Sequence, residues 1–248
     1  MQPRLLIFGL GHLASKIIEA NCQKFLIHGT FRSPKPINKL VNKSIQFELG
    51  DELFDISSYD RIVINFPPQE KLLSFLKELL PLLAKDQTCL FVSSTSVYGI
   101  GNINESSPLD GMPRSGSYLL DCEKYLSDKD CVIIRPGGLV DEGRDPVNFF
   151  KKSKTIKGIQ NHINYIHTFD LARFILRENY QADTYNLIAP LSYTKKDFYQ
   201  AIIKDQKEWE FIKDETPDRL ISSMRAEVKS FDFTYPDLLK YFTTLHHS

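Results

Sequence analysis

The start of the chain constrains its fold more than any other segment does. A short apolar run leads into the pattern G-x-G-x-x-A, and a helical pattern follows directly. In a strand–turn–helix unit the first glycine permits the tight turn and the second leaves room for a pyrophosphate. The small third residue lets the helix pack closely on the strand. N–H groups at the start of that helix would face the phosphates. The pattern predicts a dinucleotide-binding loop, with a tight turn that holds no ligand as the alternative; the loop residues are Gly9, Gly11, His12, Leu13 and Ala14.

Strand and helix patterns then alternate along the chain. The strand-like runs are continuously apolar and rich in β-branched residues, which is typical of a parallel sheet buried on both faces. They lie at 4–9, 25–31, 45–49, 61–66, 88–94 and 131–135, and a helix is predicted over 69–85, where Pro81 should kink or end it. We therefore predict an α/β fold, a Rossmann-like doubly wound parallel sheet with a small C-terminal substrate lobe. Residues 1–140 would form the core and 141–248 a smaller lobe that shares it. The pair His246-His247 is predicted to be a mobile tail.

Charge and hydropathy exclude several functional classes. Lys plus Arg and Asp plus Glu number 31 each, so there is no general electrostatic attraction to nucleic acid or to an anionic membrane. No apolar run approaches the length of a membrane span. The four cysteines show no C-x-x-C spacing and indicate reduced thiols. We expect a cytoplasmic protein with a small-molecule substrate and neither a nucleic-acid nor a membrane partner; a homodimer is left open.

The absence of an acidic residue after the glycine loop indicates which dinucleotide binds. An NAD site uses a carboxylate about 20 residues after the glycines to hold the ribose 2′-hydroxyl. Between Ala20 and Phe47 there is no Asp or Glu, and the predicted second strand ends instead at Arg32. A guanidinium can hold a 2′-phosphate by paired hydrogen bonds. The sequence therefore favours NADP over NAD, with a solvated loop cation as the alternative for Arg32.

Five segments in this order resemble the extended short-chain dehydrogenase/reductases, of the NAD(P)-dependent sugar-nucleotide epimerase/dehydratase type. They are the glycine loop, Gly50-Asp51, residues 93–99 (SSTSVYG), residues 135–139 (RPGGL) with Gly143-Arg144, and residues 166–172 (IHTFDLA). The resemblance implies that Asp51 contacts the adenine, that His167 belongs to the cofactor site and that Arg144 contacts the substrate. It also implies that Ser94 hydrogen-bonds a substrate oxygen.

The chain departs from this family where the family carries out proton transfer. A Tyr-x-x-x-Lys pair is expected on the helix after the fifth strand, with a Glu eight residues beyond the Tyr. Matching that Glu to Glu123 places Ser115 at the Tyr position and Leu119 at the Lys position. Tyr118 is the substitute acid in one interpretation and a merely packed side chain in the other, which we favour because a shift along a helix turns a side chain elsewhere.

A second departure follows the fourth strand, where Phe66-Pro67-Pro68 replaces a small polar segment. The prolines remove N–H donors, so Phe66 and Pro67 are predicted to form a rigid wall beside the cofactor. No histidine has the spacing of a metal site. Two functions remain open. One is an NAD(P)-dependent epimerase/dehydratase-like enzyme or oxidoreductase without the usual Tyr/Lys pair. The other is a non-catalytic NADP-binding redox sensor or regulatory interaction protein.

Overall fold

The structure is a computed structural model that describes residues 2–110 and 115–247, and for Ser115 the backbone alone. The strands are β1 (Arg4–Phe8), β2 (Leu26–Phe31), β3 (Lys43–Gln46), β4 (Arg61–Ile64), β5 (Thr88–Val92), β6 (Gly101–Ile103), β7 (Val132–Pro136), β8 (Gly138–Val140), β9 (Thr155–Lys157), β10 (Tyr165–His167), β11 (Thr184–Leu187), β12 (Glu210–Ile212) and β13 (Arg219–Ile221). The helices are α1 (His12–Ala20), α2 (Lys71–Leu79), α3 (Ser115–Leu126), α4 (Thr168–Ile175), α5 (Lys195–Ile202), α6 (Ala226–Lys229) and α7 (Leu238–His247).

A parallel seven-stranded sheet organises the molecule, in the order β11-β7-β5-β4-β1-β2-β3. The order reverses beside β1, and in such sheets the crevice at this point, outside the carboxyl ends of the strands, is where ligands bind. The Rossmann-like doubly wound fold predicted from the sequence is confirmed.

Helices cover both faces of this sheet, which explains the continuous apolar runs. Helices α1 and α4 pack together on one face, and α2 and α3 pack together on the other. In β1, Leu5 and Ile7 belong to the α1/α4 core, while Leu6 and Phe8 belong to the α2/α3 core. All four side chains are fully buried. Each such burial contributes about 1.5–3 kcal/mol.

The part of the chain after residue 140 adds to this core and builds a smaller one. Strand β11 is an edge of the main sheet, and α4 packs on α1. A separate cluster gathers side chains from α5 and α7, including Phe198, Tyr199, Leu238 and Phe242. Two short parallel pairs, β8–β10 and β6–β13, connect the two parts, whereas both strands of a third pair, β9–β12, lie after residue 140. The predicted division at residue 140 thus crosses a shared core, and as a boundary it stays a prediction.

Glu105 links the sheet edge to the late part of the chain. Its carboxylate, almost fully buried, accepts hydrogen bonds from the backbone N–H of Asn186 in β11 (2.9 Å) and of Met224 (2.8 Å). The Ser223 hydroxyl also donates to it. Backbone and hydroxyl donors replace the water that this carboxylate loses on burial.

The end of the chain differs from the sequence prediction. His246 and His247, expected in a mobile tail, lie in the last turn of α7. The His246 imidazole lies 2.8 Å from the Asp145 carboxylate, and the His247 imidazole contacts the carbonyl of Ala201 at 3.0 Å. Across the described ranges 2–110 and 115–247, no helix has the length and apolar character needed to cross a membrane.

Candidate functional site

A cleft of about 250 Å³ lies at the carboxyl ends of β1, β2, β3 and β4. The glycine loop forms one wall, the segment after β2 a second, and the segments after β3 and β4 the remainder. The lining residues are Gly9, Leu10, Gly11, Thr30, Phe31, Arg32, Ser33, Lys35, Phe47, Glu48, Leu49, Asn65, Phe66, Pro67 and Gln69. The cleft therefore occupies the crevice that the strand order predicts.

Gly9 is required by both its conformation and its surroundings. Its φ is +100°, in the region that favours glycine. A Cβ at this position would stand 2.6 Å from the carbonyl oxygen of Asn65, at the end of β4. The loop is held further by the N–H of Gly9, which donates to the Thr30 hydroxyl (3.0 Å), and by the Asn65 amide, which donates to the Gly9 carbonyl (3.2 Å). These contacts fix the loop against β2 and β4.

Gly11 has a different environment, and it provides the test of whether a dinucleotide fits. A Cβ built on Gly11 meets no atom within 4 Å, and the residue lines the cleft. Gly11 is also the N-cap of α1, so the next N–H groups belong to the first helical turn and have no acceptor within the helix. Open space beside unpaired donors fits a pyrophosphate. Leu13 and Ala14 point the other way, buried in the α1/α4 core.

The segment after β2 brings positive charge to the cleft. Arg32 and Lys35 both line it and both are exposed, with Ser33 between them. Glu48, which follows β3, also lines the cleft. The sequence analysis identified Arg32 but missed Lys35 and Glu48. Glu48 was missed because it lies one residue beyond the stretch without acidic residues.

The predicted site residues after β3 and after β4 lie in different places relative to the cleft. Phe66 and Pro67 line the cleft, where a rigid wall was expected. Asp51 is not among the lining residues. Its carboxylate accepts from the N–H of Glu48 (2.7 Å) and closes the turn that follows β3. Glu48 and Leu49 thus form the cleft wall where Asp51 was expected.

The end of β5 is fixed by a buried ion pair. The Arg135 guanidinium donates to both carboxylate oxygens of Glu123 at 2.5–3.1 Å, and both side chains are almost fully buried. The Ser93 hydroxyl also donates to Glu123, and Arg135 donates to the Tyr98 hydroxyl (2.5 Å). A paired buried charge of this kind holds strand and helix in one register. The next residue, Ser94, accepts from the N–H of Ser96 through its hydroxyl oxygen at 3.1 Å.

On helix α3, Tyr118 and the residues matched to the family's Lys and Glu lie on different sides. Leu119 and Glu123, one turn apart, face the sheet, and Leu119 packs in the α2/α3 core. Tyr118 is 39% exposed, and the described residues show no hydrogen bond between it and Ser94. Residues 111–114 and the side chain of Ser115, the residue matched to the family's Tyr position, lie outside the described residues. The roles of Ser94 and Tyr118 stay predictions.

Arg219 is a residue that sequence analysis missed. It begins β13 and donates to the carbonyl of Thr95 (3.4 Å), next to Ser94. Burial lowers the pKa of its guanidinium, and no carboxylate in the described part of the chain forms an ion pair with it. The contact joins residues 124 positions apart, so no local pattern could have indicated it.

The remaining predicted residues meet where α1 approaches the turn after β8. His12, the first residue of α1, lies 2.6 Å from the carboxylate of Asp141, which is fully buried. Arg144 is exposed, and its backbone pairs with that of Asp141 in the same turn. His167 is not in the cleft wall; its imidazole stacks on Tyr235 at a centroid distance of 3.8 Å and caps α4 by accepting from the N–H of Phe169. Its role in the cofactor site stays a prediction.

The described residues contain no candidate metal site. They contain no group of three or more His, Cys, Asp or Glu side chains that could hold an ion. All four cysteines are free; Cys22 is exposed, whereas Cys89, Cys122 and Cys131 are buried.

The chain matches no protein-family model and no curated protein by sequence, but its structure is similar to solved structures. A functionally unknown conserved protein from Silicibacter pomeroyi is 19% identical with a TM-score of 0.77, over 99% of this chain and 100% of that chain. UDP-N-acetylglucosamine 4-epimerase from Methanobrevibacter ruminantium, in complex with UDP-N-acetylmuramic acid, is 16% identical with a TM-score of 0.73, over 98% of each chain.

The human epimerase family protein SDR39U1, with NADPH, is 17% identical with a TM-score of 0.70, over 99% of each chain. These structures match over nearly the whole of both chains, which agrees with the motif order found in the sequence. At identities of 16% to 19% the similarity defines a fold. This chain has the fold of the extended short-chain dehydrogenase/reductases, of the epimerase/dehydratase type.

Proposed function

We propose that this chain binds a nicotinamide dinucleotide, NADP in preference to NAD, in the cleft at the carboxyl ends of β1 to β4. On this proposal it acts on a small polar or nucleotide-linked substrate, as an epimerase/dehydratase-like protein or oxidoreductase without the usual Tyr-x-x-x-Lys pair. The observation that carries the proposal is the cleft itself. Gly11 leaves open space in its wall, and Arg32 and Lys35 add two cations to the same wall.

The residues fit such a cofactor in a defined order. The first-turn N–H groups of α1 would hold the pyrophosphate, and Arg32 with Lys35 would hold the 2′-phosphate by charge-assisted hydrogen bonds. Phe66 and Pro67 exclude water from one wall. Among the described residues of the cleft wall, Glu48 is the single acid, and the two cations outnumber it. When bound, the nicotinamide ring supplies a hydride donor or acceptor, and the chain's residues orient the substrate beside it.

The substrate side of the proposal depends on Arg219 and Ser94. A half-buried guanidinium without an ionic partner is costly, and an anionic group on a substrate would compensate that cost. Phosphates of a nucleotide-linked substrate match this requirement, and the similar 4-epimerase structure holds a UDP-linked ligand. The Ser94 hydroxyl, beside the Thr95 carbonyl that Arg219 contacts, would then donate to a substrate oxygen.

A non-catalytic role as an NADP-binding sensor is the second candidate, and a specific observation favours it. If Glu123 matches the family's glutamate, Leu119 occupies the position of the family's lysine, and Leu119 is buried among apolar side chains. A leucine side chain carries no charge, so at this position it cannot lower the pKa of a tyrosine. Cofactor binding is common to both candidates, so it is the property to measure first.

The test is a fluorescence titration of the purified chain with NADPH and with NADH. We expect NADPH to bind about 10- to 100-fold more tightly, because a charge-assisted pair contributes about 1.5–3 kcal/mol. Arg32→Ala should reduce that preference, whereas Lys39→Ala, an exposed cation outside the cleft wall, should retain it. Equal affinities in the wild type, or an unchanged preference in Arg32→Ala, would contradict the assignment of NADP.

A further inference from the structure

We infer that the chain has a second binding site, away from the dinucleotide cleft, for a small carboxylate with an apolar body. The site is a cavity of about 570 Å³ that begins directly after the carboxyl end of β11. Its described lining residues include none that lines the cleft, and β7 and β5 stand between β11 and β4 in the sheet. The inference does not depend on the proposed function, because it concerns other residues and another ligand.

The size and the walls of this cavity, the β11-edge cavity, suit a small organic molecule. Ligand pockets commonly have volumes of about 300–1,000 Å³ and mainly apolar walls. The walls come from the segment after β11, from the end of β13, and from α6 with the residues that follow it. The apolar side chains among them are Ile188, Ala189, Ile221, Val228, Phe231 and Phe233. Some of these pack on the α2/α3 core and others on the α1/α4 core, so the walls are anchored on both faces of the sheet.

The backbone turns one N–H group toward this cavity. The carbonyl of Leu187 accepts from the N–H of Gly137 (3.0 Å) and therefore points toward β7. In a trans peptide the N–H lies opposite to the C=O, so the N–H of Ile188 points to the outer edge of β11. Residues 220–223 lie along this edge and line the cavity. Among the described residues, no atom accepts from the Ile188 N–H.

A serine hydroxyl adds a second donor. Three serines line the cavity, and two of them are already engaged. The Ser222 hydroxyl donates to the carbonyl of Ile103 (3.1 Å), and the Ser223 hydroxyl donates to Glu105. The third, Ser192, is half-buried, and the part of the chain that the structure describes offers its hydroxyl no partner. Its hydroxyl is therefore available to a ligand.

Lys229 gives the cavity its charge. It is the last residue of α6 and is exposed, and within residues 2–110 and 115–247 its ammonium group forms no ion pair. Asp232 also lines the cavity, but its carboxylate lies 3.9 Å from the guanidinium of Arg173. The cavity thus presents one unbalanced positive charge beside two neutral donors.

A carboxylate with an apolar body matches this combination. Its two oxygens can accept from the Ile188 N–H, the Ser192 hydroxyl and the Lys229 ammonium group. Its single negative charge balances the single cation, whereas a phosphate dianion would bring one charge too many. The apolar body would cover walls that otherwise face water, which is favourable.

The experiment is a calorimetric titration of the whole chain with 3-phenylpropionate and with 3-phenylpropionamide, which has the same apolar body without the charge. We expect the carboxylate to bind with a Kd of about 0.1–1 mM, an ordinary value for a ligand of this size. It should bind about fivefold more tightly than the amide, because an exposed ammonium group contributes modestly. Lys229→Ala should weaken binding of the carboxylate alone. Lys240→Ala, which removes an exposed cation of α7 outside the cavity, should leave the difference unchanged.

Two further variants locate the probe. Ser192→Trp puts a large side chain in the cavity wall and should block both the carboxylate and the amide. Circular dichroism and thermal unfolding show whether this variant is folded; if it is not, the comparison of Lys229→Ala with Lys240→Ala decides. Arg32→Ala removes a cation from the dinucleotide cleft and should leave both affinities unchanged.

Five results would overturn the inference. The first is that neither probe binds at millimolar concentration, and the second is equal affinity of the wild type for the carboxylate and the amide. The third is an equal loss of carboxylate binding in Lys229→Ala and Lys240→Ala. The fourth is full binding of both probes by a folded Ser192→Trp variant. The fifth is loss of carboxylate binding in Arg32→Ala, which would place the probe in the cleft. Failure of NADPH to bind would contradict the proposed function and leave this inference standing.

Discussion

At the scale of single residues, Gly11 offers the cleanest test of the glycine loop. Its φ of −119° suits any residue, and an added Cβ meets nothing within 4 Å. We therefore expect Gly11→Val to keep the fold but to fill the space needed by the pyrophosphate, lowering NADPH affinity at least tenfold. Circular dichroism and an NADPH titration on one sample measure both properties.

The same substitution at Gly9 serves as a comparison. There a Cβ would collide with the Asn65 carbonyl, and φ is +100°, so Gly9→Val should destabilise the chain itself. Retained NADPH binding in a folded Gly11→Val variant would mean that the loop is a structural turn only.

Residue-scale features were predictable from sequence where one short segment determines them. The glycine loop, Arg32 and the wall of Phe66 and Pro67 all follow directly after strands, so their location at one sheet edge could be inferred. Arg219 could not be found in this way, since it reaches Thr95 across 124 positions. Chain-distant contacts of this kind become visible only when the strand order and the late short strands are known.

At the scale of elements, α3 decides whether Tyr118 transfers protons. The pairing of Glu123 with Arg135 and the burial of Leu119 fix the face that α3 turns to the sheet, and Tyr118 is largely outside it. We expect Tyr118→Phe to leave turnover and cofactor affinity within about twofold of wild type. A proton-transfer residue would instead cost about 10²–10⁴ in rate.

The measurement is UDP-sugar 4-epimerisation by wild type, Tyr118→Phe and Tyr125→Phe, the last being the other tyrosine of α3. Weak or absent wild-type turnover agrees with the alignment of Glu123 to the family's glutamate. Robust turnover that disappears in Tyr118→Phe and survives in Tyr125→Phe would show that this alignment is wrong.

The observed bounds of helices and strands differ from those predicted from the apolar periodicity of the sequence. The helix predicted over 69–85 ends as α2 at Leu79, and a short 3₁₀ turn containing Pro81 follows, because proline cannot donate to the preceding turn. The predicted third strand, 45–49, is instead β3 at Lys43–Gln46. Strands of three residues, such as β6 and β13, carry too little pattern for sequence prediction.

At the scale of the whole molecule, His167 makes stability depend on pH. Burial lowers its pKa to about 4, against about 6.5 in an unfolded chain. Between these values the unfolded state binds more protons, so stability falls as the pH falls through this window. His167→Gln should remove that slope, worth about 2 kcal/mol at pH 5.

Urea unfolding at pH 7 and pH 5 measures the slope for wild type, His167→Gln and His247→Gln. The stacking on Tyr235 is lost at both pH values in the first variant, so only the difference between them is informative. His247→Gln replaces an exposed histidine of α7 and serves as the matched control. A slope that persists in His167→Gln would assign the acid sensitivity to other groups.

The carboxylate of Glu105 has a consequence for how this protein is made. A ribosome delivers residue 105 well before residues 223 and 224, whose hydroxyl and amide groups complete its shell. Until then a nascent chain must keep that charge hydrated, which opposes closing the sheet edge at β11. The N-terminal strands can pair early, but β11 can be held by Glu105 in its final surroundings only after residues 223 and 224 have been made.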